Sequence, residues 1–169
     1  MTIEMAATLG TKETFFSLYE LCDNKSSNYT GKLLQRATQN SKLDSRYDIC
    51  NFLLDEGADP HLLTPNGSTV LHLLLECPTH LLEPTINLCK RFLEMGVDPN
   101  VLNSNRESAI VWLINLKFTD DELQPLYDAW FSYPQKVLNV PSRYGCTPIE
   151  LAQRFPLHAK LLSRMLEAQ

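Results

Sequence analysis

The chain has few of the features that mark a secreted, membrane-bound or nucleic-acid-binding protein. Its first residues, Met1 to Met5, carry no basic segment followed by an apolar run, so they do not resemble a secretory signal peptide. No apolar stretch approaches the roughly 18 residues that indicate a membrane span. The 15 lysines and arginines are scattered along a chain of net charge −5, without the basic patch of a nucleic-acid-binding surface. We expect a cytoplasmic protein that binds neither membrane nor nucleic acid, with a charge that suits a basic partner.

The cysteines also lack a recognisable pattern. There are five, at irregular spacing and without a C-x-x-C pair: Cys22, Cys50, Cys77, Cys89 and Cys146. An odd number at such spacing argues against a disulfide framework and against a zinc site. Glycine-rich phosphate loops, G-x-S-x-G elbows and H-E-x-x-H helices are missing as well. We therefore predict free thiols, no metal, no cofactor and no catalytic residue.

What the chain does contain is an internal repeat with a period of 39 residues. The segment Gly57-Ala58-Asp59-Pro60 recurs at that offset as Gly96-Val97-Asp98-Pro99. The segment that begins at Asn66 recurs from Asn105 and again from Tyr144, each time after another 39 residues. A period between about 20 and 50 residues indicates stacked supersecondary units.

Residues 69–98 show what one unit contains. A short apolar segment, 70–75, is followed by Pro78, which ends it as a helix. Apolar residues then recur at helical spacing over 86–95, and Gly96 stands where a helix commonly ends in a left-handed residue. Since no alternating strand pattern occurs, the sequence predicts an all-α protein built from a short helix, a loop, a longer helix and a turn.

These motifs resemble those of the ankyrin-repeat family. Residues 69–73, Thr-Val-Leu-His-Leu, are similar to the opening T-P-L-H-x-A, and residues 147–152 match its Thr-Pro start and its Ala. Residues 57–61 and 96–100 resemble the closing G-A-D-V-N of the family. The resemblance implies one all-α solenoid domain over 1–169, with about five helix-turn-helix units at 1–29, 30–68, 69–107, 108–146 and 147–169. Inner helices are expected near 3–9, 31–40, 69–76, 108–116 and 147–153, and outer helices near 12–22, 45–55, 84–95, 120–132 and 157–167.

The sequence departs from the family pattern in three ways. The period of 39 exceeds the usual ~33 residues, and the excess falls between the inner and outer helices. The second unit matches the opening motif poorly. Arg106 stands where the other repeats have Gly67 and Gly145. Because a left-handed backbone costs an arginine more than a glycine, we expect the turn at Arg106 to differ.

The resemblance implies a non-enzymatic module that is monomeric alone and binds a protein partner through its concave face and turn tips. Such a module would inhibit, neutralise in the manner of an immunity protein, or scaffold its partner. At the tips, near 61–68, 100–107 and 139–146, Leu63 and Leu102 replace the family's polar residues. They either form an apolar row for the partner or pack on each other. The residues expected to contact the partner are Leu63, Pro65, Asn66, Glu76, Leu102, Ser104, Asn105, Glu107, Asn115, Arg143, Tyr144 and Arg154.

The alternative is a hydrolase or metal-dependent enzyme hidden in a degenerate helical repeat. His72 and Glu76 lie four residues apart on one helix face, which is a possible metal-binding pair, and Cys146 lies on a loop. One and two repeats after His72 stand Val111 and Glu150, so no ladder of ligands is formed. The resemblance also gives His72 a structural hydrogen-bonding role. We therefore favour a binding protein over an enzyme.

The pattern also predicts how far three large side chains are buried. Trp112 aligns with Leu73 and Leu151, which are core positions, so we expect it to pack inside the protein. Trp130 is expected to be half buried in an outer helix. His158, near a loop, is expected to be in contact with solvent.

Overall fold

The structure, a computed structural model, describes residues 1–155 and 157–169. Over these residues the chain forms ten helices and no strand, which confirms the predicted all-α class. In chain order they are α1 (Ile3–Leu9), α2 (Lys12–Glu20), α3 (Ser27–Ala37), α4 (Leu43–Asp55), α5 (Val70–Leu75), α6 (Leu82–Glu94), α7 (Ile110–Leu113), α8 (Asp120–Phe131), α9 (Pro148–Arg154) and α10 (Ala159–Glu167). Within this described part, none of the helices combines the length and the apolar character needed to cross a bilayer.

The helices are arranged in two rows. Each odd-numbered helix from α1 to α9 contacts the next odd-numbered helix, and each even-numbered helix from α2 to α10 contacts the next even-numbered one. Contacts between consecutive helices, such as α1 with α2 and α3 with α4, join the two rows. One apolar core runs between them from Ala6 in α1 to Met165 in α10. Every helix thus packs against a neighbour in its own row, and all but the short α7 also pack against a helix of the facing row.

Three tip turns, at 64–68, 103–107 and 142–146, precede α5, α7 and α9. In each turn the first residue donates its main-chain N–H to the main-chain oxygen of the last, at 3.0, 3.0 and 2.9 Å. Arg106 in the second turn has a φ of 59°, in the left-handed region that Gly67 (76°) and Gly145 (77°) also occupy. The expectation that the turn at Arg106 differs is therefore wrong. Its N–H donates to the oxygen of Asn103 at 2.8 Å, and this closing bond holds the arginine in a backbone conformation that glycine adopts more easily.

Helix α7 is a single turn, Ile110–Leu113, and not the longer helix predicted at 108–116. The capping boxes that begin α5 and α9 each need a polar side chain at the third helical position. Val111 follows Ser108 by the same three residues and offers no polar group, and the hydroxyl of Ser108 is buried without a hydrogen-bond partner. The N–H of Val111 instead bonds the oxygen of Ser108 three residues back, at 3.2 Å, which tightens the helix start.

Helix α3 begins at Ser27 and not at residue 31, so it crosses the predicted unit boundary between 29 and 30. Ser26 caps it, its hydroxyl accepting the N–H of Tyr29 at 3.4 Å. Gly31 lies in the middle of this helix, where a glycine costs about 1 kcal/mol relative to alanine. A Cβ at Gly31 would lie 2.7 Å from the main-chain oxygen of Asp59, so the glycine is what lets that segment approach the helix.

The other helices begin and end within two residues of their predicted bounds. Two burial predictions are wrong. Trp130 is fully buried, because α8 packs between α6 and α10. His158 is also buried, because its Nε2 bonds the main-chain oxygen of Leu116 at 2.8 Å and its Nδ1 lies 3.6 Å from a carboxylate oxygen of Asp120. Trp112 is partly buried against the core.

Candidate functional site

The three tip turns are joined to one another by main-chain hydrogen bonds. The N–H of Ser104 donates to the oxygen of Asn66 at 2.7 Å, and the N–H of Arg143 donates to the oxygen of Asn105 at 2.7 Å. The two bonds connect equivalent positions in successive turns. We call the surface formed by residues 64–68, 103–107 and 142–146 the tip edge. It is one continuous hydrogen-bonded edge and not three independent loops.

The tip edge and its flanks carry most of the residues predicted to contact a partner. Tyr144 is 73% exposed and Leu63 is 55% exposed. Four others are also exposed: Pro65, Asn66, Ser104 and Arg143. Three are partly buried: Leu102, Asn105 and Glu107. Leu63 therefore presents far more apolar surface to solvent than Leu102, and the predicted row of tip leucines is uneven.

His72 connects α5 to the second tip turn. Its Nε2 lies 2.9 Å from the main-chain oxygen of Glu107, and its Nδ1 accepts the N–H of Thr69 at 3.1 Å. Burial lowers the pKa of His72 below its ordinary value. Both ring nitrogens are thus occupied by hydrogen bonds, while the side chain of Glu76 is exposed at the other end of the helix. Within residues 1–155 and 157–169, His, Cys, Asp and Glu side chains form no cluster of three that could hold a metal ion.

A groove of about 620 Å³ lies between α3 and the first tip turn, and we call it the α3 groove. It is lined by Asn28, Lys32, Gln35, Arg36, Gln39, Leu62, Leu63, Thr64, Pro65 and Leu73. Leu63 and Pro65 were predicted as contact residues, but the side chains that α3 contributes were not. The amide of Gln35 donates to the main-chain oxygen of Leu62 at 2.8 Å, which fixes the tip segment against the helix.

A second groove, of about 560 Å³, lies at the carboxyl ends of α5 and α7. It brings together Glu76 and Asn115, both predicted contact residues, with Trp112 and Lys117. The indole Nε1 of Trp112 is buried there without a hydrogen-bond partner. The predicted contact residues therefore do not converge on one site: Leu63 lines one groove and Glu76 the other, while Arg154, exposed on α9, lines neither.

Sequence reasoning missed the α3 side chains because the second unit lacks the opening motif that locates an inner helix. A signal was nevertheless present. Asn28, Lys32 and Arg36 follow one another at intervals of four residues, the spacing that aligns side chains on one helix face. All three are exposed in the structure.

The ion pairs between helices lie among the even-numbered helices. Lys12 of α2 pairs with Asp48 of α4 at 2.6 Å, and Arg91 of α6 pairs with Asp55 of α4 at 2.6 Å. Two further pairs join α10 to α8: Lys160 with Asp121, and Arg164 with Asp128. In the portion of the chain that the structure describes, five exposed cations of the odd-numbered helices and the tip edge have no carboxylate at ion-pair distance: Lys32, Arg36, Arg106, Arg143 and Arg154. The odd-numbered helices and the tip edge thus present unpaired positive charge to solvent.

Comparison with known proteins identifies a shared fold. None of the family models and none of the curated proteins searched matches this chain. The chain is similar to a solved structure of a functionally unknown protein from Leptotrichia buccalis C-1013-b, with a TM-score of 0.87 and 29% sequence identity. The match covers 99% of this chain and 92% of that chain. The two proteins therefore share an all-α fold over nearly their whole lengths.

Proposed function

We propose that this chain is an ankyrin-type solenoid that binds another protein along its tip edge and the grooves of its odd-numbered helices. Two features support the solenoid. The helices form two rows in which each helix contacts its neighbours, as in a stack of helix pairs. His72 also bonds the tip turn of the next repeat, the role that the family gives the histidine of its opening motif.

One observation carries the binding role: the main-chain bonds that join Asn66 to Ser104 and Asn105 to Arg143. They hold the tip edge in place before any partner arrives, so ordering this surface adds little to the cost of binding. The edge ends in Arg143 and Tyr144, both exposed. Arginine and tyrosine are enriched among the residues that dominate protein interfaces.

Binding a protein partner accounts for the ordered tip edge and its exposed Arg143 and Tyr144 better than catalysis does. The ring of His72, the strongest candidate for a metal ligand or a base, uses both nitrogens to hold the scaffold. The protein then acts by binding alone: it blocks a surface of its partner, neutralises the partner, or recruits the partner to another protein.

The experiment is site-specific photocrosslinking in the cell that makes the protein. A benzophenone amino acid replaces Tyr144 at the tip edge, and in a matched control it replaces Glu94, which is exposed on α6 in the other row. We expect a discrete protein adduct from position 144 and none from position 94. Absence of an adduct at 144, or the same adducts from both positions, would contradict the proposal. Once purified, the partner at about 100 times its Kd should stabilise the chain by about 2.7 kcal/mol.

A further inference from the structure

Helix α3 is basic although the whole chain is acidic. The chain has a net charge of −5, but α3 contains Lys32 and Arg36 and no acidic residue. Glu4 of α1 acts on Arg36 only through longer-range attraction, and its carboxylate accepts a hydrogen bond from the hydroxyl of Tyr29 at 2.6 Å. Both cations therefore remain available to an outside carboxylate.

The two cations are also aligned. Lys32 and Arg36 lie one helical turn apart, and side chains at that spacing have Cβ atoms about 5–6 Å apart. Gln39, just beyond the end of α3, also lines the groove, and its amide adds hydrogen-bonding capacity. The opposite wall of the α3 groove is apolar at Leu63 and Pro65.

The groove is built before a partner binds. The bond from Gln35 to Leu62 and the close approach of Asp59 to Gly31 fix the distance between its two walls. The helix fixes the positions from which Lys32 and Arg36 extend, so a partner must place its negative charge near both, because misplaced or like charges are penalised.

We propose that the α3 groove binds an acidic segment of the partner protein, with two carboxylates on Lys32 and Arg36 and an apolar side chain on Leu63 and Pro65. This inference rests on the proposed function and adds the chemistry of the partner. It reverses the expectation, drawn from the net charge, of a basic partner. An apolar wall and an overall negative charge favour a short acidic peptide segment over a long polyanion such as RNA, which the rest of the surface repels.

The probe is a phage-displayed library of random peptides, selected against the whole chain. The test variants are Lys32→Glu/Arg36→Glu and the milder Lys32→Gln/Arg36→Gln, which keeps good helix formers at both positions. The control is Lys42→Glu/Lys136→Glu, which changes net charge as much as the first variant does, at two exposed lysines outside the groove. Circular dichroism and thermal unfolding establish that each variant is folded.

We expect the wild type and the control to select peptides with at least two acidic residues beside an apolar one. The selected peptides, labelled with fluorescein, should bind both α3 variants about tenfold more weakly or worse, and should bind the wild type less tightly as salt rises. Selection without an acidic bias, no selection at all, or equal binding to the α3 variants would overturn the inference. Tighter binding of a single-stranded RNA oligonucleotide than of the acidic peptides would also overturn it.

Failure of this inference is distinguishable from failure of the proposed function. If position 144 crosslinks to a partner and Lys32→Glu/Arg36→Glu leaves that adduct unchanged, the protein binds a partner but not through α3. If acidic peptides are selected and position 144 gives no adduct, the groove is assigned correctly and the role of the tip edge is wrong.

Discussion

The Nε2 atom of His72 lies 2.9 Å from the main-chain oxygen of Glu107, so a side chain at the start of α5 holds the tip turn that precedes α7. The Nδ1 atom accepts the N–H of Thr69, which requires the neutral ring with its hydrogen on Nε2. A proton added at Nδ1 would face the N–H of Thr69. The ring therefore satisfies both contacts only while it is neutral.

This arrangement predicts that acid weakens the fold near pH 6. Burial lowers the pKa of His72 and also that of His80, which follows α5 and whose Nε2 lies 2.9 Å from the main-chain oxygen of Leu74. The unfolded chain therefore takes up protons first as the pH falls. The stabilisation is complete above the unfolded pKa of about 6.5 and is lost progressively below it. Urea unfolding at about pH 7.5 and about pH 5.5 measures the loss, which should be smaller for His72→Gln than for the wild type. The same loss in both proteins would contradict this role for His72.

Arg106 is predicted to cost stability because of its backbone conformation. With a φ of 59° it occupies the left-handed region, so Arg106→Gly should raise the free energy of unfolding by about 1 kcal/mol. Arg143→Gly is the matched control, since Arg143 lies at a tip turn without a positive φ. It should gain nothing, because glycine there only adds freedom to the unfolded chain. Thermal unfolding measures the change in the free energy of unfolding of both variants. An equal gain in stability for the two would count against backbone strain at Arg106.

The two tip leucines should respond differently to the same substitution. Leu63 is 55% exposed, so Leu63→Asp should change the free energy of unfolding by no more than about 0.5 kcal/mol. Leu102 is partly buried, so Leu102→Asp should lower it by about 1 kcal/mol or more. Crosslinking from position 144 should fall with Leu63→Asp if that side chain contacts the partner. A large loss of stability in Leu63→Asp would instead indicate internal packing.

Arg46 is expected to be a structural arginine. It is 2% exposed, its Nε donates to the oxygen of Asn40 at 2.8 Å, and its Nη1 donates to the oxygen of Thr79 at 2.7 Å. Arg46→Ala removes the donor to each of these oxygens, of which that of Asn40 is buried, and should cost about 3 kcal/mol in urea unfolding. Arg154→Ala, at an exposed arginine, should cost no more than about 0.5 kcal/mol. Similar costs for the two would refute a structural role for Arg46.

The helices with strong local signals were predictable from the sequence. Thr69 and Thr147 begin their helices through capping boxes, and Gly57 and Gly96 follow the last residues of α4 and α6 with positive φ. Such signals depend on a few neighbouring residues, so the sequence alone displays them. The predicted tip turns likewise occur where the 39-residue offset places them.

The features that the sequence did not predict depend on contacts between distant segments. The place of Gly31 within α3 is one example, because only a glycine lets the main chain at Asp59, 28 residues along the chain, approach the helix; the cap at Ser26, by contrast, is a local signal that the sequence does contain. The burial of His158 depends on Leu116 in the preceding unit. The α3 groove was missed because the second unit lacks the motif that would place α3, and because its second wall comes from a separate segment, Leu62 to Pro65.

The links between neighbouring tip turns are made by main-chain atoms, from Ser104 to Asn66 and from Arg143 to Asn105. No side chain at these four positions takes part in the bonds that join one turn to the next. If the chain binds a partner through its tip edge, as proposed, exchange of the side chains of Ser104, Asn105 and Arg143 would change the partner while these main-chain bonds remain. Under that proposal, a library that randomises Ser104, Asn105 and Arg143 would sample new recognition specificities, and Asn66 would be kept because its Oδ1 accepts the N–H of Ser68 within the first tip turn.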